Sequence, residues 1–204
     1  MIKELVRRMN VREAGINEGI SEVIVTTRSA SGTFNAAPVG IIATTNEQFV
    51  KLYKSSRTLS NVQETNKLAA NVTSDAVLFV KAAFDNLDKS HFSSLSGFPV
   101  LKEANSWIIF QAVLAEKSTE YSLFQLTPIA VKINRKELKA INRGLNAVIE
   151  ATILATRYLI VNDECEKEEI KKQMERYAKI VEKCGGRSEK EAIRILGRVP
   201  PLPT

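Results

Sequence analysis

The chain is poor in the residues that carry metal and disulfide chemistry: its 204 positions hold two cysteines and one histidine. Cys165 and Cys184 flank one helical pattern that would hold them about 28 Å apart at the helical rise per residue, so they are not expected to pair with each other. Two cysteines and one histidine do not furnish a structural zinc site of the usual four-ligand kind. His91, alone in DKSHFSS, reads as a loop or surface histidine. No apolar run approaches the roughly 18 residues that span a bilayer. The N-terminal MIKELVRRMNVREAG is charged and lacks the apolar stretch of a signal peptide, so a cytoplasmic location is expected. The sequence also has no nucleophile elbow, Walker loop, dinucleotide glycine motif or metal-spaced carboxylate set.

What is present is an ordinary globular composition, with 44% hydrophobic and 25% charged residues, enough to build a real core. The net charge of +6 is spread evenly: residues 1–135 carry 15 Lys and Arg against 12 Asp and Glu, and residues 136–204 carry 14 against 11. Interleaved charge of this kind marks a solvated surface, and no aromatic-basic motif accompanies it, so nucleic acid is not the expected partner. A basic RNA-associated barrel is the weaker rival reading.

The hydrophobic period divides the chain into a first part that is mostly β and a second that is helical. Gly19–Arg28 is β-branched and alternating, Ser29–Gly32 is a turn, and Thr33–Thr45 resumes strand composition. Pro38 removes a ladder donor from the middle of that strand, so the backbone at Ala36–Gly40 is expected to leave regular pairing. Gln48–Tyr53 is a third strand, followed by a helix capped by Thr58 or Ser60 and running to Asn66, then a strand over 68–73. Ser74-Asp75 caps AVLFVKAAF, a helix by apolar spacing whose β-branched residues leave a strand reading open. Asp85–Pro99 reads as a long loop, and Asn105–Lys117 with Tyr121–Asn134 as two further strands. Short strands with turn signals and an inserted helix suggest a small closed or partly open barrel.

From Lys136 onward three helices are expected. The second ends at Gly185-Gly186, and the third opens with a Ser188/Glu191 capping box and closes near Leu196. The tail VPPLPT is expected to be extended or disordered. The predicted domains are therefore 1–135 and 136–204.

Two stretches carry chemistry. In Asn35-Ala36-Ala37-Pro38-Val39-Gly40, small side chains around a proline let a flat ligand approach the backbone; the same pattern also suits a simple bulge. In Tyr53–Asp75, YKSSRTLSNVQETNKLAANVTSD, a strand ends in Lys54, Ser56, Arg57 and Thr58 and turns into a helix near Asn61. A helix N-terminus with cationic and hydroxyl donors is a phosphate site in outline, although a solvated turn with an ordinary cap has the same parts.

Together, NAAPVGI followed by SRTLSNVQETNKLAANVTSD resembles, in order and spacing, the flavin reductase branch of the FMN-binding split-barrel superfamily. The whole chain, including AVLFVKAAFD and NRGLNAVIEATILATRY, is similar to an uncharacterised archaeal family within it. The resemblance implies a mostly β fold with α, an FMN-binding split β-barrel followed by a C-terminal helical region. It implies a homodimer with flavin at the subunit interface, and a nicotinamide or other small-molecule redox partner. By position, Asn35, Ala36, Ala37, Pro38 and Val39 would line the isoalloxazine ring. Lys54, Ser56, Arg57 and Thr58 would hold the phosphate, and Asn61 and Asn71 would contribute further polar contacts. Typical flavin reductases have an Asp between the cation and the threonine of this turn, whereas here Arg57 directly precedes Thr58. Two functions therefore stay open, an FMN-dependent oxidoreductase and a module that binds FMN or another phosphorylated small molecule without turnover. On the first C-terminal helix Arg143, Glu150 and Arg157 recur every seven residues beside Asn142 and Asn146. This stripe is either a solvated ion-pair ladder or a face that closes the flavin site or the dimer.

Overall fold

The computed structural model describes residues 11–85 and 87–198. The charged segment before Val11 and the proline-rich tail after Arg198 lie outside the described residues.

β1 (Gly19–Arg28), β2 (Phe34–Ala43) and β3 (Gln48–Tyr53) fall where alternation predicts them. They are followed by α1 (Arg57–Thr65), β4 (Lys67–Val72) and α2 (Ala76–Phe84), which resolves the helix-or-strand ambiguity of AVLFVKAAF. A short 3-10 turn at Lys89–His91 leads into β5 (Phe92–Leu95) and β6 (Phe98–Leu101), and β7 (Ser106–Lys117) and β8 (Tyr121–Ile133) complete the sheet. Six strands close a barrel in the order β1-β2-β3-β8-β7-β4, each pair antiparallel. Val25, Ile41, Val50 and Phe110 are fully buried inside it, each contributing about 1.5–3 kcal/mol of burial. Leu59 and Val62 of α1 join the same core, so this helix plugs the barrel.

Three expectations for the first part of the chain need correction. β2 does not leave pairing at Pro38: its register with β1 runs unbroken from Gly19↔Ala43 to Arg28↔Phe34, with Ile24 opposite Pro38. The reason is that β3 pairs only with Ile41–Ala43, so Pro38 sits where β2 has a ladder on one edge alone, a position proline tolerates. The helix is capped by neither Thr58 nor Ser60 but by Ser56, whose backbone is extended and whose Oγ accepts from the Leu59 amide at 3.2 Å. The loop expected over 85–99 is interrupted by a hairpin. β5 and β6 form a hairpin turning at Ser96-Gly97, both at positive φ, and fastened to the barrel where Thr26 Oγ1 donates to the Pro99 carbonyl at 2.6 Å.

The chain divides into two compact units. One comprises the residues up to Thr73 together with Leu87–Glu137, and contains the barrel and the hairpin; the other comprises Ser74 through α2 together with Leu138 onward. In the second unit α2 packs with α3 (Arg143–Tyr158), α4 (Glu164–Cys184) and α5 (Arg187–Leu196) around Ala76, Val80, Val148, Met174, Ala192 and Leu196. α3 begins at Arg143 rather than at Lys136, because Asn142 caps it, accepting from the Gly144 amide at 2.7 Å. α5 begins at Arg187, and the reciprocal cap is Glu189 accepting from the Gly186 amide at 2.8 Å, in place of the expected Ser188/Glu191 pair. Glycine at 144 is required by packing: a Cβ there would lie 2.5 Å from the Cα of Gly185. Cys165 and Cys184 stand at opposite ends of α4, both free.

Candidate functional site

The two stretches singled out in the sequence meet at one end of β2. Strand alternation sets the orientation: Val39, Ile41 and Ala43 face the barrel core, so Ala36, Pro38 and Gly40 face outward. These outward residues form a floor of small side chains beside β1, with no β3 partner recorded for Phe34–Gly40. Gly40 keeps the floor low, since a Cβ there would come within 2.6 Å of the Ile20 side chain. Asn35 Nδ2 donates to Thr58 Oγ1 at 3.1 Å, tying the start of β2 to the first turn of α1. Thr58 is buried but still has a hydroxyl hydrogen to donate.

The turn between β3 and α1 is built with some backbone strain. Ser55 has φ +67°, where an L residue is disfavoured. Ser56 Oγ donates to the Tyr53 carbonyl at 2.8 Å, and the Lys54 amide donates to the Glu120 carbonyl at 2.9 Å. The result is a fixed turn whose exposed Lys54 and Arg57 side chains flank a helix N-terminus, where first-turn amides and the helix dipole favour an anion.

The other predicted site residues divide. Asn61 lies behind Thr58 on the buried side of α1, and its Nδ2 donates to Thr27 Oγ1 at 2.9 Å; Thr27 is the register partner of Asn35. Two side-chain bonds, Asn35–Thr58 and Asn61–Thr27, thus tie α1 to the paired strands β2 and β1. The sequence reading missed Thr27, which looks like any alternating strand threonine. Asn71 is fully buried on β4, its Nδ2 donating to the Ile24 carbonyl, Thr26 Oγ1 and the Ala69 carbonyl, and its Oδ1 accepting from the Leu101 amide at 2.7 Å. That is the hydrogen bonding of a strut holding the β5–β6 hairpin. His91 is half-buried in the 3-10 turn, where its amide donates to the Asp88 carbonyl.

In the helical unit Arg157 pairs with Glu166 at 2.5 Å with both side chains largely in solvent, and Asn142 is consumed as a cap. A cavity of about 820 Å³ opens at the opposite end of β2, beside Ala43, Thr44 and Gln48, with the Arg12–Glu18 ion pair at its rim; no predicted site residue lines it. Among the described residues, no three His, Cys, Asp or Glu side chains gather to hold a metal, and no helix is long and apolar enough to cross a membrane.

A closed antiparallel barrel plugged by α1, with a small-residue strand meeting a cationic helix N-terminus, is the split barrel of FMN-binding proteins. Solved structures bear this out. A crystal structure of the FMN-bound protein MM1853 from Methanosarcina mazei, itself assigned to DUF447, superposes with TM-score 0.85 and 38% identity, covering 93% of this chain and 100% of that one. The flavin reductase PheA2 shares only the fold, at TM-score 0.50 and 22% identity over 57% of this chain and 81% of its own. The uncharacterized protein MJ1453 of Methanocaldococcus jannaschii is 25% identical over 191 residues, covering 88% of this chain and 97% of that protein. Residues 21–135 match the N-terminal domain of the family of unknown function DUF447, and residues 142–198 match its second model; the chain belongs to that family.

Proposed function

We propose that this protein binds FMN, with the isoalloxazine ring along the outward face of β2 at Ala36, Pro38 and Gly40 and the phosphate at Lys54–Thr58, and that it works as a cytoplasmic flavin-dependent oxidoreductase. The observation that carries the reading is the Asn35–Thr58 hydrogen bond, which ties the strand that bears the floor to the first turn of α1 at a fixed separation. The residues fit the group: small outward side chains leave room for a planar ring, and the turn offers two cationic side chains and a helix N-terminus for a phosphate. The FMN-bound relative from Methanosarcina mazei supports FMN as the ligand. Flavin chemistry supplies electron and hydride transfer, so the protein's part is to bind, orient and exclude water. Asn35 positions Thr58 for a phosphate oxygen, and the Ser56 cap keeps the first-turn amides aimed outward.

On the same reading the protein is a homodimer with the flavin at the subunit interface. Val113 on β7 and Ile129 on the adjacent strand β8 remain exposed, apolar side chains left for a second copy to cover. Light scattering that gives a monomer mass would reject this part.

The test of the main reading is an FMN titration followed by flavin fluorescence. Removing the donors in Arg57→Ala/Thr58→Val is expected to weaken binding about tenfold to a hundredfold, the usual effect of losing hydrogen bonds to a charged group. Unchanged affinity in a folded double variant rejects the phosphate assignment. A second reading, FMN held without turnover, is favoured by the missing acid between Arg57 and Thr58. Sustained oxidation of NADH or NADPH by the FMN-loaded protein excludes it.

A further inference from the structure

The outward face of the barrel carries an aromatic and cationic cluster immediately before the anion turn. Tyr53, the last residue of β3, is 60% exposed and stands directly across the ladder from Tyr121, the first residue of β8. Val50 and Leu52 point into the core, so Lys51 and Tyr53 share the outer surface. The Lys51 ammonium lies 3.9 Å from the centroid of the Tyr121 ring and 5.7 Å from that of Tyr53. The Tyr121 hydroxyl donates to Glu116 at 2.8 Å, which holds that ring in place. Two bonds weld this cluster to the turn: Ser56 Oγ to the Tyr53 carbonyl, and the Lys54 amide to the Glu120 carbonyl beside Tyr121.

A tyrosine left mostly in water, fixed next to an ammonium group and continuous with a phosphate-binding turn, has the chemistry of a nucleobase platform. The ring face stacks a planar heterocycle, and the cations attract the phosphate attached to it. We propose that Tyr53, Lys51 and Tyr121 form a subsite for the adenylate half of a dinucleotide, next to the phosphate turn Lys54–Thr58. The proposal rests on the turn being a phosphate site. A purine on a phosphate tether reaches it from either of two molecules: FAD, in which flavin and adenine are joined, or the dinucleotide NADH or NADPH bound beside FMN.

The experiment compares wild type, Tyr53→Ala and Tyr53→Phe, each checked for an intact barrel by the fluorescence of Trp107. Each is titrated with FMN, with FAD, and with adenosine 5′-monophosphate in the presence and absence of FMN. The expected result is that Tyr53→Ala weakens FAD binding about tenfold, as loss of one base stack does, while FMN affinity moves by less than about twofold and Tyr53→Phe restores FAD binding. Adenosine monophosphate that binds and is lost in Tyr53→Ala assigns the subsite to an adenylate. A KM for NADH or NADPH raised in FMN-loaded Tyr53→Ala with FAD affinity unchanged assigns it to the nicotinamide dinucleotide, and weakened FAD binding with that KM unchanged assigns it to FAD.

Equal FAD affinities in wild type and Tyr53→Ala, with no adenosine monophosphate bound, overturn the proposal. So does a Tyr53→Ala variant that loses FMN and FAD equally, because Tyr53 would then belong to the flavin site itself. If wild type fails to bind FMN yet binds adenosine monophosphate through Tyr53, the FMN reading falls and the subsite stands; if nothing binds, both fall.

Discussion

Asn71→Ala separates a ligand-binding amide from a structural one. The Asn71 side chain is fully buried and engages four partners, three through Nδ2 and the Leu101 amide through Oδ1. Truncation leaves the Leu101 N–H without its acceptor inside the protein, which costs about 1–3 kcal/mol, and removes donor bonds that net about 0.5–1.5 kcal/mol each. Thr26 Oγ1 keeps its bond to the Pro99 carbonyl, so part of the hairpin attachment survives. The expected loss is therefore about 3–4 kcal/mol, a large fraction of a domain's stability. Trp107 is the only tryptophan in the chain, and its Nε1 donates to the Leu101 carbonyl at 2.7 Å, so its fluorescence reports on the anchorage that Asn71 provides. In urea the Trp107 transition should move down by roughly 1.5–2 M for a slope of about 2 kcal/mol/M. FMN affinity of the folded variant should stay within about threefold of wild type, an effect below 1 kcal/mol. A transition shifted by less than about 0.5 M, together with lost FMN binding, would refute the strut and return Asn71 to the ligand.

Gly144→Ala places a Cβ 2.5 Å from the Gly185 Cα and 2.7 Å from its nitrogen, so the backbone must move; helicity should melt earlier by a few degrees, reflecting about 1–3 kcal/mol of overpacking. Arg157→Ala removes an exposed ion pair with Glu166 and should change stability by less than about 1 kcal/mol. The hydrogen bond from Tyr121 to Glu116, then the charge of that carboxylate, raises the Tyr121 phenol above 10.0, so its stabilisation is complete below pH 10 and lost as pH rises through the raised value; phenolate absorbance should show Glu116→Gln bringing it back down. The Ser90 hydroxyl, then the Ser90 amide, lowers the Asp88 carboxyl below 3.8; its stabilisation is present above that pH and lost as pH falls through the lowered value, and Ser90→Ala should raise the carboxyl in an NMR titration.

Alternation made the barrel strands legible. β1 and β3 have the bounds the pattern predicts because one face of each is buried and a register slip would turn that face outward. The β5–β6 hairpin was hidden because Ser93, Ser94 and Gly97 give it a loop's composition, while Phe92 and Phe98, which anchor it, are isolated in the sequence. Ser56, Thr58 and Ser60 are all capable caps, and backbone geometry alone selects Ser56. In the candidate site, the pairing of floor and turn was suggested by resemblance and has a direct physical link in Asn35–Thr58. The roles of Asn61 and Asn71 were not legible, because an amide that faces a ligand and one that ties two strands together have the same sequence signature. Their partners, Thr27 and the Leu101 backbone, come from strands far along the chain.

The assignment of α2 to the helical unit has a consequence for the order in which the protein is made. A ribosome delivers Ala76 and Val80 well before Val148, Ala192 and Leu196, the residues that share their core. Throughout synthesis of β5 to β8 this apolar helix has no completed unit of its own to enter, and only the last helices give it a permanent place. A nascent or truncated chain ending near residue 137 would therefore carry the full barrel sequence and an orphaned hydrophobic helix. Such a fragment should be more prone to aggregate than the full-length chain even though none of its barrel strands is missing.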